Sequence, residues 1–167
     1  GESLMVLTTS ELIASLQNEV RILLHLAGKV DGSSVDYRPT PKQRSTIELL
    51  RYLSMMGPAV VKLAQTGQFD PAAWGAEEQA VASLDLAGAK AAIARQSDLY
   101  ESVLGGMSDQ DLRQEVTIFG APSSRGAFIV TYGLCGFAAY RTQIFLYLKA
   151  CGREELTTMN LWGGVDG

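Results

Sequence analysis

The sequence has few of the side chains that most often bind transition metals. Its 167 residues include one histidine, His25, and two cysteines, Cys135 and Cys151, with no HExxH or CxxC motif. These residues alone therefore indicate no metal cluster. The two cysteines fall on one predicted helix, about 24 Å apart along its axis, too far for a disulfide within the chain. We expect reduced thiols, with Cys135 a small core residue and Cys151 more accessible.

Clustered positive charge is also missing. The net charge is −4, the isoelectric point is near 5.0 and no Lys/Arg tract occurs, which argues against a nucleic-acid-binding surface. The longest apolar run, 127–140, falls short of the ~20 residues of a membrane span. Glu2 and the absence of a following apolar stretch argue against a signal peptide. We expect a cytoplasmic protein without a membrane partner.

Common catalytic fingerprints are absent as well. The chain has no GxSxG, Walker or dinucleotide motif. A Cys–His pair between His25 and either cysteine would have no local signature. The acidic pairs at 77–78 and 154–155 lie in polar stretches and are predicted to be solvated. Whether the protein is an enzyme is left open at this point.

What the sequence does contain is helical periodicity. It predicts four long helices, over residues 8–28, 45–66, 84–105 and 124–151. Thr8 with Glu11 and Ser45 with Glu48 form capping boxes at the first two. Pro58 predicts a kink in the second helix or its division into two. His25 falls nearer the polar face of the first helix, so a solvated or capping role is expected.

The connections carry weaker signals. Residues 29–44 are predicted to be a loop, and Asp70 before Pro71 predicts a helical turn within 67–82. One helical turn is predicted at 108–114 and a short extended segment at 115–119. The tail after Cys151 lacks periodicity, and we expect it to fold back on the bundle through Met159, Leu161 and Trp162.

One stripe of the last helix mixes aromatic and polar side chains. Its members are spaced by four, four, three and four residues, so they share a face: Tyr132, Gly136, Tyr140, Gln143 and Tyr147. The interpretation we favour is a core stripe whose hydroxyl groups find partners at the edges of the bundle. The alternative is the wall of a ligand pocket, with Gly136 leaving room.

Three features together resemble the DinB/YfiT-like superfamily. They are the segment DYRPTPKQRSTIELLRYL, the order of the helices with an irregular segment before the last, and AYRTQIFLYLKACG, which is similar to that superfamily's HHRGQ-type motif. The resemblance covers nearly the whole chain. It implies an all-α fold: a DinB-like four-helix bundle, with long connections, as a single domain over residues 1–167.

The resemblance also implies a metal site that this sequence does not reproduce. Members usually bind zinc or nickel through three histidines, one on the second helix and two, four residues apart, on the last. Those positions correspond here to Tyr52, Gly136 and Tyr140. Tyrosine is a poor neutral-pH ligand because its pKa is near 10, and glycine has no side chain. Arg141 and Gln143 match the motif's other polar residues, while Thr142 replaces its glycine.

These observations lead to three functional hypotheses. The first is a DinB-like protein that has lost its metal and binds a small molecule between the second and last helices, in a pocket formed by Tyr52, Tyr132, Gly136, Tyr140 and Gln143. The second is a metal- or thiol-dependent transferase or hydrolase with altered ligands. The third is a homodimeric interaction protein. The first predicts no metal cofactor.

Overall fold

The computed structural model of the protein describes residues 6–167, so Glu2 lies outside the described residues. The elements follow in this order: α1 (Thr9–Ala27), α2 (Thr46–Thr66), α3 (Pro71–Val81), α4 (Leu86–Leu104), α5 (Asp109–Arg113), β1 (Glu115–Ile118), β2 (Ala121–Ser124), α6 (Arg125–Phe128), a π-helical segment (Ile129–Leu134), α7 (Cys135–Ala150) and a π-helical turn (Met159–Gly163). We call the continuous run from Arg125 to Ala150 the last helix.

Helices α1, α2, α4 and α7 form the bundle. Both α4 and α7 pack against α1 and α2. The apolar residues that give α1 and α2 their helical periodicity are buried in the core: Leu12, Leu16, Val20, Leu23 and Ala27 from α1, and Leu49, Leu53, Met56, Val60 and Leu63 from α2. None of the described helices combines the length and apolar character needed to cross a bilayer.

Local chemistry sets the starts of the long helices. The side chains of Thr8 and Ser45 accept hydrogen bonds from the backbone amides of Glu11 and Glu48. The carboxylates of both glutamates in turn accept from the backbone amides of Thr8 and Ser45. These are the two predicted capping boxes. The last helix begins after Ser124, whose hydroxyl accepts from the Ala127 amide.

Helix α2 runs through Pro58 as one element, so the division into two shorter helices is wrong. Gly57, the residue before this proline, lies against Tyr100 of α4 and Phe137 of α7. A Cβ atom on Gly57 would lie 1.9 Å from the Tyr100 hydroxyl oxygen and 2.7 Å from the Phe137 ring. Glycine is therefore required where α2 meets α4 and α7.

The connections hold more regular structure than the sequence indicates. The turn expected after Asp70 is an 11-residue helix, α3, in which no residue is buried. The predicted extended segment is β1, and it pairs antiparallel with β2, a strand that the sequence analysis missed. Pro122 and two serines within β2 gave no strand signal.

The last helix departs from a regular α-helix between Ile129 and Leu134, where the backbone is π-helical. Beyond it, α7 turns Phe137, Arg141 and Ile144 inward. Cys135 lies off that face and is exposed, whereas Cys151 is partly buried. The predicted order of accessibility of the two thiols is therefore wrong.

The tail folds back onto the bundle, as predicted. Of the predicted residues, Leu161 is half-buried and the Trp162 ring centroid lies 5.2 Å from the Arg141 guanidinium carbon. Leu156 and Asn160 are buried, whereas Met159 and Trp162 are exposed. Asn160 Nδ2 lies 3.0 Å from His25 Nε2, so His25 is a contact between α1 and the tail rather than a solvated residue.

Candidate functional site

Tyr52 of α2 meets Gly136 and Tyr140 of the last helix between these two helices. The rings of Tyr52 and Tyr140 contact edge to face, with centroids 5.3 Å apart. Together with Gly136 and Tyr132 they line a cavity of about 350 Å³. The structure thus brings together the three positions that the resemblance equates with metal ligands, and adds Tyr132 from the same helix face.

A second set of rings lines the same cavity, and we call it the aromatic mouth. It is formed by Phe69, Trp74, Phe119, Phe128 and Tyr132. Phe119 lies 5.1 Å from Phe69 and 5.9 Å from Tyr132 between ring centroids. Apart from Tyr132, the sequence analysis did not single out these residues. Phe69, Trp74 and Phe119 come from the connections, so no helical spacing could reveal them. Phe128 stands four residues before Tyr132 on the last helix and extends the predicted stripe by one turn.

Gly136 sits beside a flexible neighbour. A Cβ atom at this position would lie 3.2 Å from Cε of Met56, another residue of the cavity wall. Alanine would require only a small shift of the Met56 side chain, which adapts readily. A longer side chain would occupy the cavity itself.

The chemistry of these residues does not fit a divalent metal. Burial, together with the neighbouring Tyr140 phenol, raises the pKa of Tyr52 to about 12, which keeps the phenol protonated. The Arg44 guanidinium lies 3.9 Å from the centroid of the Tyr52 ring and would repel a cation. Among residues 6–167, no group of three or more His, Cys, Asp or Glu side chains is placed to hold an ion.

Gln143, the remaining predicted site residue, is used elsewhere. Its Nε2 donates to the Tyr147 hydroxyl at 2.6 Å, and that hydroxyl donates to the Arg44 carbonyl at 2.9 Å. Tyr147 is buried and packs edge to face on Tyr37. The stripe predicted on the last helix is therefore divided. Tyr132, Gly136 and Tyr140 face the cavity, and Gln143 and Tyr147 fasten the loop before α2.

Arg141 also has a structural environment. Its Nε lies 2.9 Å from a carboxylate oxygen of Glu19, with side chains 5% and 13% exposed. The guanidinium also donates to the Leu161 carbonyl of the tail. Burial raises the pKa of Glu19, and Arg141 only partly offsets that rise. The pair joins α1, α7 and the tail.

His25 belongs to this same side of the bundle. Its Nε2 lies 3.8 Å from Asp166, which pairs with Lys29 at 2.7 Å. Burial lowers the pKa of His25, and Asp166 opposes that effect. The ring is thus held by the tail, through Asn160 and Asp166.

A larger cleft, of about 770 Å³, separates α3 from α2 and α4 and shares Phe69 and Trp74 with the aromatic mouth. Gln96, buried in its wall, already donates to the Leu53 carbonyl and accepts from Tyr100. Charges of both signs line this cleft, from Lys62, Arg95, Asp70 and Glu77. The smaller cavity, lined by Tyr52, Tyr132, Gly136 and Tyr140, is the one that contains the positions implied by the resemblance, and we call it the tyrosine cavity.

Comparison with known proteins supports the architecture. No protein-family model matches the sequence, and no curated protein does. Among solved structures, the crystal structure of a DinB-like protein, YjoA, from Bacillus subtilis aligns with a TM-score of 0.67, covering 87% of this chain and 94% of that one. The chain has a DinB-like fold. The two sequences are 14% identical, so the function has to be argued from the residues of the present DinB-like bundle.

Proposed function

We propose that this DinB-like protein binds a small, neutral, largely apolar molecule between α2 and the last helix, and that it has lost the divalent-metal site the resemblance implies. One observation carries the proposal. Tyr52, Gly136 and Tyr140, which stand at the implied ligand positions, line a single aromatic cavity. Substitution at those positions has replaced ion-binding groups with rings and open space.

The size and lining of the cavity suit a small organic ligand. Ligand pockets typically measure about 300–1,000 Å³, and this one, at about 350 Å³, lies near the lower end. Met56, Val60 and Leu63 supply aliphatic walls beside the rings. Burying apolar ligand surface against such walls contributes about 25 cal/mol per Å².

The polar groups of the cavity favour a ligand with a hydrogen-bond acceptor. With its pKa raised to about 12, Tyr52 keeps its hydroxyl proton at neutral pH and can donate it to a ligand oxygen. A cationic ligand is disfavoured because Arg44 already occupies a face of the Tyr52 ring. The best-fitting class is therefore an uncharged molecule with one oxygen acceptor.

Calorimetric titration with 2-naphthol tests this proposal. We expect saturable binding to the wild-type protein, and at least about a tenfold loss of affinity, or 1.4 kcal/mol, in Gly136→Leu, which fills the cavity. Gly133→Ala is the matched control. That buried glycine is on the same helix, and an added Cβ there would make ordinary contacts, the nearest 3.5 Å from Ile129.

The outcomes separate clearly. Unchanged affinity in Gly133→Ala with the loss in Gly136→Leu supports the proposal. No binding to the wild-type protein, or equal affinity in both variants, contradicts it. Gly136→Ala serves where the leucine variant fails to fold, as judged by circular dichroism, and is expected to weaken binding by a smaller factor.

A further inference from the structure

Phe119 has a backbone conformation that its side chain disfavours. Ile118 pairs with Ala121, so a two-residue turn of Phe119 and Gly120 joins β1 to β2. Both turn residues have left-handed backbone conformations, with φ of +56° at Phe119 and +77° at Gly120. Turns of this kind prefer Asn, Asp or Gly at the first position because a bulky side chain is strained there.

Docking of the hairpin does not account for this choice. The hairpin is anchored by Val116 and Ile118, both of which are buried. The Phe119 side chain is 58% exposed, so it contributes little to the core. A glycine or asparagine would form the same turn with less strain.

What distinguishes Phe119 is its position at the tyrosine cavity. Its ring lies 5.1 Å from Phe69, 5.9 Å from Tyr132 and 6.4 Å from Phe128 between centroids. All four residues line the cavity. A strained residue is retained when its side chain has a use at that place.

We infer that Phe119 is a ligand-contact residue that selects flat aromatic molecules. Rings pack favourably with centroids about 4.5–7 Å apart, in tilted or offset arrangements. A planar ligand can therefore stack against Phe119, Tyr132 or Phe69, whereas a puckered saturated ring of the same size makes fewer contacts. This inference rests on the proposed function and specifies the class of ligand.

The test compares 2-naphthol with its saturated analogue, decahydro-2-naphthol, in three proteins: wild type, Phe119→Asn and Phe119→Tyr. We expect the wild type and Phe119→Tyr to prefer the planar compound. Phe119→Asn should lose about 2- to 10-fold in affinity for 2-naphthol and most of that preference, because one ring–ring contact typically contributes a factor of that size.

Thermal melting supplies the second measurement. Asparagine relieves the strain at the turn, so Phe119→Asn should melt at the wild-type temperature or about 2–4 °C above it, as expected for the relief of one strained residue in a domain of this size. Leu146→Asn is the control, because Leu146 is similarly exposed, at 57%, on α7. It should leave the affinity for both compounds unchanged.

Failure of this inference is distinct from failure of the proposed function. If Phe119→Asn melts several degrees lower and keeps its affinity while Gly136→Leu still weakens binding, Phe119 is a packing residue and only the inference is overturned. If the wild type binds neither compound, both are overturned. A wild-type dimer that Phe119→Asn converts to monomer, seen by light scattering, would assign the ring to an interface and also overturn the inference.

Discussion

Tyr140 and Arg141 are neighbours on the last helix but enter regions of opposite character. On the Arg141 side, charged groups have partners. The guanidinium reaches Glu19 and the Leu161 carbonyl, and its side chain is 5% exposed. On the Tyr140 side, rings touch edge to face around a cavity of about 350 Å³. Charged groups form an ion pair in one region, and the other region contains a cavity.

This difference separates the side chains of the last helix that hold neighbouring segments in place from those that only line the cavity. Arg141 and Gln143, which match polar residues of the motif it resembles, join the tail and the loop before α2 to the last helix. Gly136 and Tyr140, at the implied ligand positions, line the cavity. A change at Gly136 or Tyr140 therefore leaves those supporting contacts in place.

Removing the charge of Arg141, which pairs with Glu19, should have the largest effect on stability. Arg141→Met leaves the Glu19 carboxylate buried without its partner, which typically costs about 3–5 kcal/mol. We expect a loss of that size in the free energy of unfolding, measured by urea denaturation. The double variant Glu19→Leu/Arg141→Met should recover most of it. A single variant within about 1 kcal/mol of wild type would show that the pair is not effectively buried.

Two glycines sharpen the contrast between packed and open regions. Gly57→Ala places a methyl group 1.9 Å from the Tyr100 hydroxyl oxygen, so we expect a loss of about 1–3 kcal/mol from overpacking. Gly136→Ala faces only the Met56 side chain, at 3.2 Å, and alanine favours helix by about 0.5–1 kcal/mol. It should therefore stay near wild type in the same denaturation experiment. Equal losses in both variants would refute this distinction.

The paired side should also respond to acid through His25. Its pKa in the folded state is lowered from 6.5, chiefly by burial, so the unfolded state binds the proton more readily. Its contribution to stability is therefore complete above pH 6.5 and is lost as the pH falls through the folded-state pKa. The melting temperature of the wild type should therefore fall as the pH is lowered from 6.5 through the folded-state pKa.

His25→Gln isolates this effect, because glutamine does not titrate. Glu19 acts in the opposite direction. Its raised pKa gives stability that is present below 4.5 and lost as the pH rises through the folded-state value. Glu19 is present in both proteins, so its contribution cancels when the melting temperature of His25→Gln is subtracted from that of the wild type at each pH. Parallel curves for the two proteins below pH 6.5 would contradict the assignment to His25.

The smallest expected change in stability is on the open side. Tyr140→Phe removes one hydroxyl from the cavity and should change the free energy of unfolding by less than about 0.5 kcal/mol. A typical hydrogen bond contributes about 0.5–1.5 kcal/mol. If Tyr140 bonds the ligand, its loss should therefore weaken 2-naphthol binding about 2- to 10-fold. Calorimetry and melting on the same sample measure both. A large loss of stability without a change in affinity would place the hydroxyl in a structural network.

The sequence predicted the long helices because their signals are local. The capping boxes at Thr8 and Ser45 and the apolar stripes need only neighbouring residues. The pairing of Tyr52 with Tyr140 followed from the resemblance. The π-helical segment, the second strand and the burial of Asn160 depend on tertiary packing, and no residue spacing encodes them. The aromatic mouth was missed for the same reason, since most of its rings come from separate connections.

Metal content measured on protein purified without a histidine tag tests the central claim most directly. The same sample would be melted with and without zinc, nickel and manganese. The account predicts near-zero metal per chain and no shift in melting temperature, since Tyr52 remains a protonated phenol and Gly136 has no ligand atom. One metal ion per chain, or stabilisation by several degrees, would contradict the account and restore a metal centre to this bundle.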